Sequence, residues 1–324
     1  MSVKRFIAPL FAAGALAVAM PACAQAQYPD RPIRLVVPWA PGGATDVIAR
    51  IVGKRLGEQL GQPIVVENKG GAGGNIGTAA FVREKADGYA LLMTTSSTNA
   101  INTHLYSQTG YDAAKDFAHV AFVGSIPNVL EVPAKSPFKT ARELLDYARA
   151  NPGKLDYGTA GVGSSQHLAA AQLVHSAGIE ITHIPYKGSG LAVADLLGEK
   201  IDFMLDTGSL SQVKGGALRA LAVASGERLS VLPDVPTFDE VGLKGMHAAA
   251  WYGLAARAGT PPEIVARLNK EVNAILQEPA IRKQLEEMGV QVGPLRDPAA
   301  LDAFVLKEIE RFKALVEMSD AKLD

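Results

Sequence analysis

The 324-residue sequence holds a single cysteine, Cys23, and aromatic residues make up only 6% of it. With no second cysteine there is no intramolecular disulfide and no thiolate metal cluster. So few aromatics argue against a stacking platform for single-stranded nucleic acid. Charge of neither sign dominates: the formal net charge is -1, which gives no whole-protein attraction to nucleic acid or anionic lipid. No stretch beyond the first 26 residues is long and apolar enough to span a bilayer. Nucleotide motifs are missing as well. Gly71-Ala72-Gly73-Gly74-Asn75-Ile76 has isoleucine where a dinucleotide fingerprint ends in glycine, and no P-loop pattern occurs. Nor is there a Gly-x-Ser-x-Gly elbow or an H-E-x-x-H pair. His167 and His175 stand about 12 Å apart along a helix, too far for one metal ion. No catalytic residue, cofactor or metal is therefore expected.

The amino terminus has the form of a secretory signal peptide. Lys4 and Arg5 precede an apolar run over residues 6–20, and Ala22, Ala24 and Ala26 supply small residues for cleavage after Ala24 or Ala26. A membrane anchor needs about 20 apolar residues, more than this run has. Pro21 sits poorly in a lipoprotein signal around Cys23. Removal of residues 1–26 takes the only cysteine with it, and an exported chain without disulfides fits the bacterial periplasm.

The rest alternates strands and helices, the pattern of a parallel or mixed α/β sheet. Ile33 to Val37 is an apolar strand; Val47, Ile48, Ile51, Val52, Leu56 and Leu60 form one helical face, stopped by Gly61. Thr140 and Glu143 make a capping box. Long helices are expected over residues 262–277, 279–288 and 298–318. Two strand-like segments, Val120 to Val132 and Leu218 to Ala224, read as crossings between lobes. The expected division is residues 27–125 and 225–324 for lobe 1 and 126–224 for lobe 2, a hinged arrangement whose cleft holds a ligand.

Two glycine-rich bends each leave a strand and enter a helix: Pro38 to Asp46 and Lys69 to Gly77. Glycine lets backbone approach a ligand closely, and helix-start amides carry partial positive charge. Together they describe an anion pocket without a basic side chain. Tyr157 to His167 is the matching turn of the middle region, where Ser164 also suits an N-cap and His167 also suits a structural role. Lys187, after a later strand, reads as an exposed lysine or a carboxylate partner. Asp206 and Thr207 follow the strand IDFML, placed to accept from a ligand or to cap a helix.

YPDRPIRLVVPWAPGGATD (28–46), NKGGAGGNIGT (68–78), ADGYALLM (86–93), PYKGSGLAVADLLGEKIDFMLD (185–206) and WYGLAARAGTPPEIVARLNKEV (251–272) resemble the Bug, or TctC-type, solute-binding proteins of tripartite tricarboxylate transporters. The resemblance implies a two-lobed periplasmic-binding-protein-like fold of type II, each lobe a mixed sheet flanked by helices. It implies a monomer that closes on a small carboxylate and hands it to inner-membrane permease subunits, with no nucleic-acid partner and no bond made or broken. Trp39, Gly42, Gly43, Ala44, Asp46, Gly73, Gly74, Asn75 and Ile76 would hold one carboxylate, and Ser96 would also contact the ligand. Gly161, Gly163, Ser164, Ser165, His167, Asp206 and Thr207 would set specificity. A ligand-sensing subunit and a secreted enzyme acting on a carboxylate are the competing readings.

Overall fold

The computed structural model describes Met1 and residues 28–318. The expected signal segment, Cys23 and its cleavage points lie outside the described residues, Met1 apart. The first part of the chain runs β1 (Ile33–Val37), α1 (Ala44–Leu60), β2 (Ile64–Asn68), α2 (Asn75–Phe81), β3 (Ala90–Thr95), a π-helical turn (Ser97–Ile101), α3 (Asn102–Leu105) and β4 (Phe117–Pro127). The middle runs β5 (Val129–Pro133), α4 (Ala141–Ala150), β6 (Asp156–Thr159), α5 (Ser165–Ala177), β7 (Thr182–Pro185), α6 (Ser189–Leu197), β8 (Phe203–Asp206), α7 (Leu210–Lys214) and β9 (Leu218–Val223). Then come β10 (Ala249–Arg257), α8 (Pro262–Ile275), α9 (Pro279–Glu287), β11 (Gln291–Val292) and α10 (Pro298–Met318).

These elements form two mixed sheets flanked by helices. Lobe 1 has the order β11-β4-β10-β3-β1-β2 and lobe 2 the order β7-β6-β8-β5-β9. β1 pairs in parallel with both β2 and β3, and its Ile33, Leu35, Val36 and Val37 are buried, as a strand covered on both faces requires. Ile48, Val52, Leu56 and Leu60 repeat every fourth residue along α1 and are buried against that sheet. Gly61 ends the helix at φ 70°, a conformation glycine adopts without strain. The capping box opens α4: Glu143 N–H donates to Thr140 Oγ1 at 3.2 Å and Thr140 N–H to Glu143 Oε2 at 3.3 Å.

The segment expected to be one crossing strand is broken at a single residue. Asn128 separates β4 of lobe 1 from β5 of lobe 2. Its N–H donates to Ala248 O at 2.8 Å, its carbonyl accepts from Ala224 N–H at 2.8 Å, and Ala248 N–H donates to Ala224 O at 3.0 Å. The two crossings therefore lie side by side, as a hinge needs. The second lies later than the expected boundary at residue 225. Phe238 and Met246 pack into the lobe 2 core with Leu205 and Leu221, and Leu229 and Leu232 pack with Val129 and Val223. Residues 225–248 thus belong with lobe 2. They are mostly irregular, so no periodicity in the sequence marks their side. The first crossing is likewise later, at Asn128 and not after residue 125, because β4 keeps its pairing with β10 as far as Pro127.

Candidate functional site

The parallel strands β1, β2 and β3 end at one edge of the lobe 1 sheet, where open α/β sheets bind ligands. From β1 the chain turns through Pro38 to Gly43 into α1. Gly42 sits at φ 89°, in the left-handed region, so the turn requires glycine there. Asp46 holds the turn. Its carboxylate accepts from Gly42 N–H (3.0 Å), Asn68 Nδ2 (3.0 Å), and Arg50 Nε and Nη2 (3.1 and 2.9 Å). Asn68 Nδ2 also donates to Trp39 O at 3.1 Å. Burial alone would push the Asp46 carboxyl up; the bonds from Arg50, Gly42 and Asn68 outweigh it and hold the group below the usual carboxylate range. Gly42 and Asp46 therefore shape the bend without lining the cavity. What they present is the start of α1. Gly43 gives no side-chain cap, and the first-turn amides of Ala44 and Thr45 have no partner inside the helix.

The second glycine bend lies directly behind the first. A Cβ on Gly74 would be 3.3 Å from Pro38 O and 3.4 Å from Trp39 Cζ2, and Trp39 lines the cavity in front of it. One on Gly73 would lie 3.2 Å from Val162 O of lobe 2. Asn75 Oδ1 accepts from Asn102 Nδ2 (2.7 Å) and Tyr111 Oη (2.8 Å), while Ile76 is exposed. Gly73, Gly74, Asn75 and Ile76 thus form a supporting layer and do not line the cavity. The two bends do meet, but close packing fills the space between them.

Lobe 2 contributes the start of α5. Gly161 and Gly163 turn the chain at φ 127° and 79°, and Ser164 Oγ caps the helix by accepting from His167 N–H at 3.2 Å. Ser165 and Gln166 reach the cavity. His167 does not. Its ring stacks on His183 at 4.4 Å, and His183 stacks on Tyr157 at 4.9 Å and meets Thr159 Oγ1 at 2.6 Å. Burial pushes the His167 pKa down. Burial and then the neighbouring His167 take His183 down to about 4. Asp206 is fully buried beneath the wall, whereas Thr207 lines it.

A small cavity of about 30 Å³ lies between the lobes. Of the expected residues it is lined by Trp39, Gly43, Ala44, Ser96, Ser165 and Thr207. Sequence reasoning missed Thr45, Thr95, Ser97, Gln166, Ser189 and Tyr252. The polar run Thr94-Thr95-Ser96-Ser97, buried straight after an apolar strand, was a readable signal. Tyr252 was not, because only the antiparallel register of β10 brings it opposite Thr95. No lining side chain is charged. Two buried polar groups of wall residues, Trp39 Nε1 and Ser96 Oγ, have no hydrogen-bond partner among the described residues.

At the cavity the lobes are joined by Thr207 Oγ1 to Tyr252 Oη at 3.1 Å and by Ser165 N–H to Ser97 Oγ at 3.2 Å, and away from it by Tyr106 Oη to Val162 O at 3.5 Å and Lys214 Nζ to Glu287 O at 2.9 Å. Tyr252→Phe removes the first and leaves the ring packing in place. A net hydrogen bond contributes about 1 kcal/mol. We expect ligand affinity to fall roughly 3- to 10-fold with little change in unliganded stability, read by calorimetric titration beside thermal melting. An unchanged affinity would show that this bond does not hold the lobes together.

Two lobes around a polar cavity lined by no charged side chain among the described residues have the architecture of a solute-binding receptor. The family model described as "Tripartite tricarboxylate transporter family receptor" matches residues 48–320, and the chain belongs to that family. It is 37% identical over 299 residues to Protein BugT of Bordetella pertussis, covering 91% of both chains. The solved periplasmic binding protein BugD has a TM-score of 0.87 at 36% identity, over 91% of this chain and 99% of that one. Rpa4515 of R. palustris, solved with adipate, gives 0.88 at 35%, over 91% and 100%. MatC of Rhodopseudomonas palustris, solved with bound malate, gives 0.84 at 33%, over 89% and 100%. Among the described residues no helix is long and apolar enough to cross a membrane.

Proposed function

We propose that this chain is an exported, periplasmic receptor that captures a small organic carboxylate by closing its two lobes and delivers it to the membrane permease of a tripartite tricarboxylate-type transporter. The observation that carries the reading is the polarity of the lobe 1 wall. Trp39 Nε1 and Ser96 Oγ are buried without partners, and the uncapped start of α1 adds the amides of Ala44 and Thr45. Buried donors left unpaired cost about 1–3 kcal/mol each, so the wall is complete only with an acceptor against it. A carboxylate supplies four lone-pair sites and the negative charge that a helix start favours. Direct amide bonds and bridging waters both serve, since a bridging water is nearly as good enthalpically. Adipate and malate in two relatives support this ligand class.

The test is a thermal-shift screen of the purified mature protein against carboxylates of two to eight carbons, with matched neutral amides as controls. A cognate acid raises the melting temperature by mass action, about 2.7 kcal/mol of stabilisation at a hundred times Kd. If amides raise it as much as acids, or no acid raises it, the reading fails.

A further inference from the structure

Beneath the lobe 2 wall lies a pair of acids that carboxylate capture does not use. Glu131 on β5 and Asp206 at the end of β8 are 1% and 0% exposed. Among the described residues neither forms an ion pair. Ser209 stands between them. Its Oγ is in hydrogen-bond contact with Glu131 Oε2 and lies 2.8 Å from Asp206 Oδ2. A hydroxyl has one proton to donate, so it cannot satisfy two ionised carboxylates at once. The contacts close only if one acid keeps its own proton. Burial first, and then the charge of Asp206, push the Glu131 carboxyl well above its ordinary range. The proton therefore sits on Glu131, which donates to Ser209, and Ser209 donates to Asp206. Asp206 is left as acceptor throughout. It takes Gly208 N–H at 2.9 Å as well, and on its other oxygen Gln166 Nε2 at 3.1 Å.

The consequence falls on Gln166, which lines the cavity. A glutamine amide turns either its NH2 or its oxygen toward a given neighbour, and which one is settled by the network around it. Asp206, the acceptor in each of its contacts with Gly208, Ser209 and Gln166, takes the NH2. Oε1, which has no hydrogen-bond partner among the described residues, is then the polar atom Gln166 offers the ligand. We propose that Gln166, locked in this orientation by Asp206, makes the lobe 2 end of the cavity an acceptor, so that the receptor selects carboxylates whose far end carries a hydrogen-bond donor, an ammonium or a hydroxyl, over dianionic dicarboxylates of the same length. The inference rests on the carboxylate reading and orients the ligand within it: anionic end on the donors of lobe 1, donor end on Gln166. A second carboxylate at that end would face the lone pairs of Oε1, with the Asp206 charge directly behind. The other polar side chains of lobe 2 on the cavity, Ser165, Ser189 and Thr207, each carry one hydroxyl that donates or accepts as the ligand requires, so they favour neither kind of ligand end. This preference would set the chain apart from the relative solved with adipate.

The test is calorimetric titration of the full mature protein at pH 7.5 with two matched sets. One is succinate, 4-hydroxybutyrate and 4-aminobutyrate; the other is adipate, 6-hydroxyhexanoate and 6-aminohexanoate. In at least one set a donor-ended acid is expected to bind at least tenfold tighter than the dianion. Gln166→Met keeps the volume, removes the acceptor, and should bring that ratio within about twofold. Glu131→Gln keeps a donor toward Ser209 and should leave the ratio unchanged. If the dianions bind as tightly as the donor-ended acids, or the tenfold ratio survives Gln166→Met, the inference is overturned and the carboxylate reading stands. Heat from none of the six overturns both. The wild-type ratios decide the matter even if Gln166→Met fails to fold.

Discussion

Replacing Gly43 with valine is expected to weaken carboxylate binding at least ~100-fold, about 2.7 kcal/mol, while the unliganded protein melts as before. Gly43 lies at φ -83° and ψ 170°, open to any residue, so valine meets no backbone strain there. Among the described residues outside its own turn, the only atom within 4 Å of an added Cβ is Ser189 Oγ of lobe 2, at 2.9 Å. One carbon asks that hydroxyl to rotate. Two further methyls wedge the lobes apart and cover the amides of Ala44 and Thr45. The acid identified by the thermal-shift screen, titrated against the variant, gives the affinity; small-angle scattering shows whether the lobes still close. Gly74→Val behaves differently. At φ 93° a β-branched residue is strained, and its Cβ would lie 2.6 Å from Thr98 Cγ2 and 3.3 Å from Pro38 O. That substitution should lower the melting temperature before it reports on binding. A Gly43→Val protein with wild-type affinity would place the ligand outside this cavity.

The contrast between these two glycines shows where sequence reading works. Both bends were legible, because consecutive glycines between an apolar strand and an amphipathic helix have few other uses in an α/β sheet. Which bend touches the ligand was not. Gly74 packs behind Trp39 because the parallel register of β1 with β2 and β3 stacks the two turns, and register between strands distant in sequence leaves no local mark. Asp46 has the same origin. The resemblance implied contact with a ligand, but Asn68, 22 residues on, draws its carboxylate into the turn. His167 was ambiguous in the sequence, and the ring of His183, on strand β7, explains its place. The helices read well because each carries its own start, stop and apolar stripe, as Thr140, Glu143 and Gly61 do. The polar run that ends β3 was open to reading, but the contribution of β10 depends on long-range pairing, which single-residue patterns do not encode.

Long-range pairing also produces the least expected stability behaviour. Glu131→Gln is expected to stabilise the protein at pH 8 by roughly 1 kcal/mol or more, and by much less at pH 5. The folded-state pKa of Glu131 is raised, chiefly by burial. The native protein therefore keeps a proton that the unfolded chain releases near pH 4.5. The stability this contributes is fully present below that pH. It is lost as pH rises toward the folded-state value, at up to about 1.36 kcal/mol per unit. His167 and His183 act in the opposite sense. Their lowered values give stability that is full above about 6.5 and lost as pH falls, toward about 4 for His183. The two trends partly cancel in the wild type, so its own pH profile is a poor guide. The difference between variant and wild type isolates Glu131, because both proteins carry the same histidines. The amide introduced by Glu131→Gln has no proton to lose and still donates toward Ser209, so the gain should grow steadily with pH. Urea unfolding of both proteins at pH 5, 6.5 and 8 measures it. A gain independent of pH would mean that Glu131 is ionised in the fold, and with it would go the proton that fixes the Ser209, Asp206 and Gln166 chain.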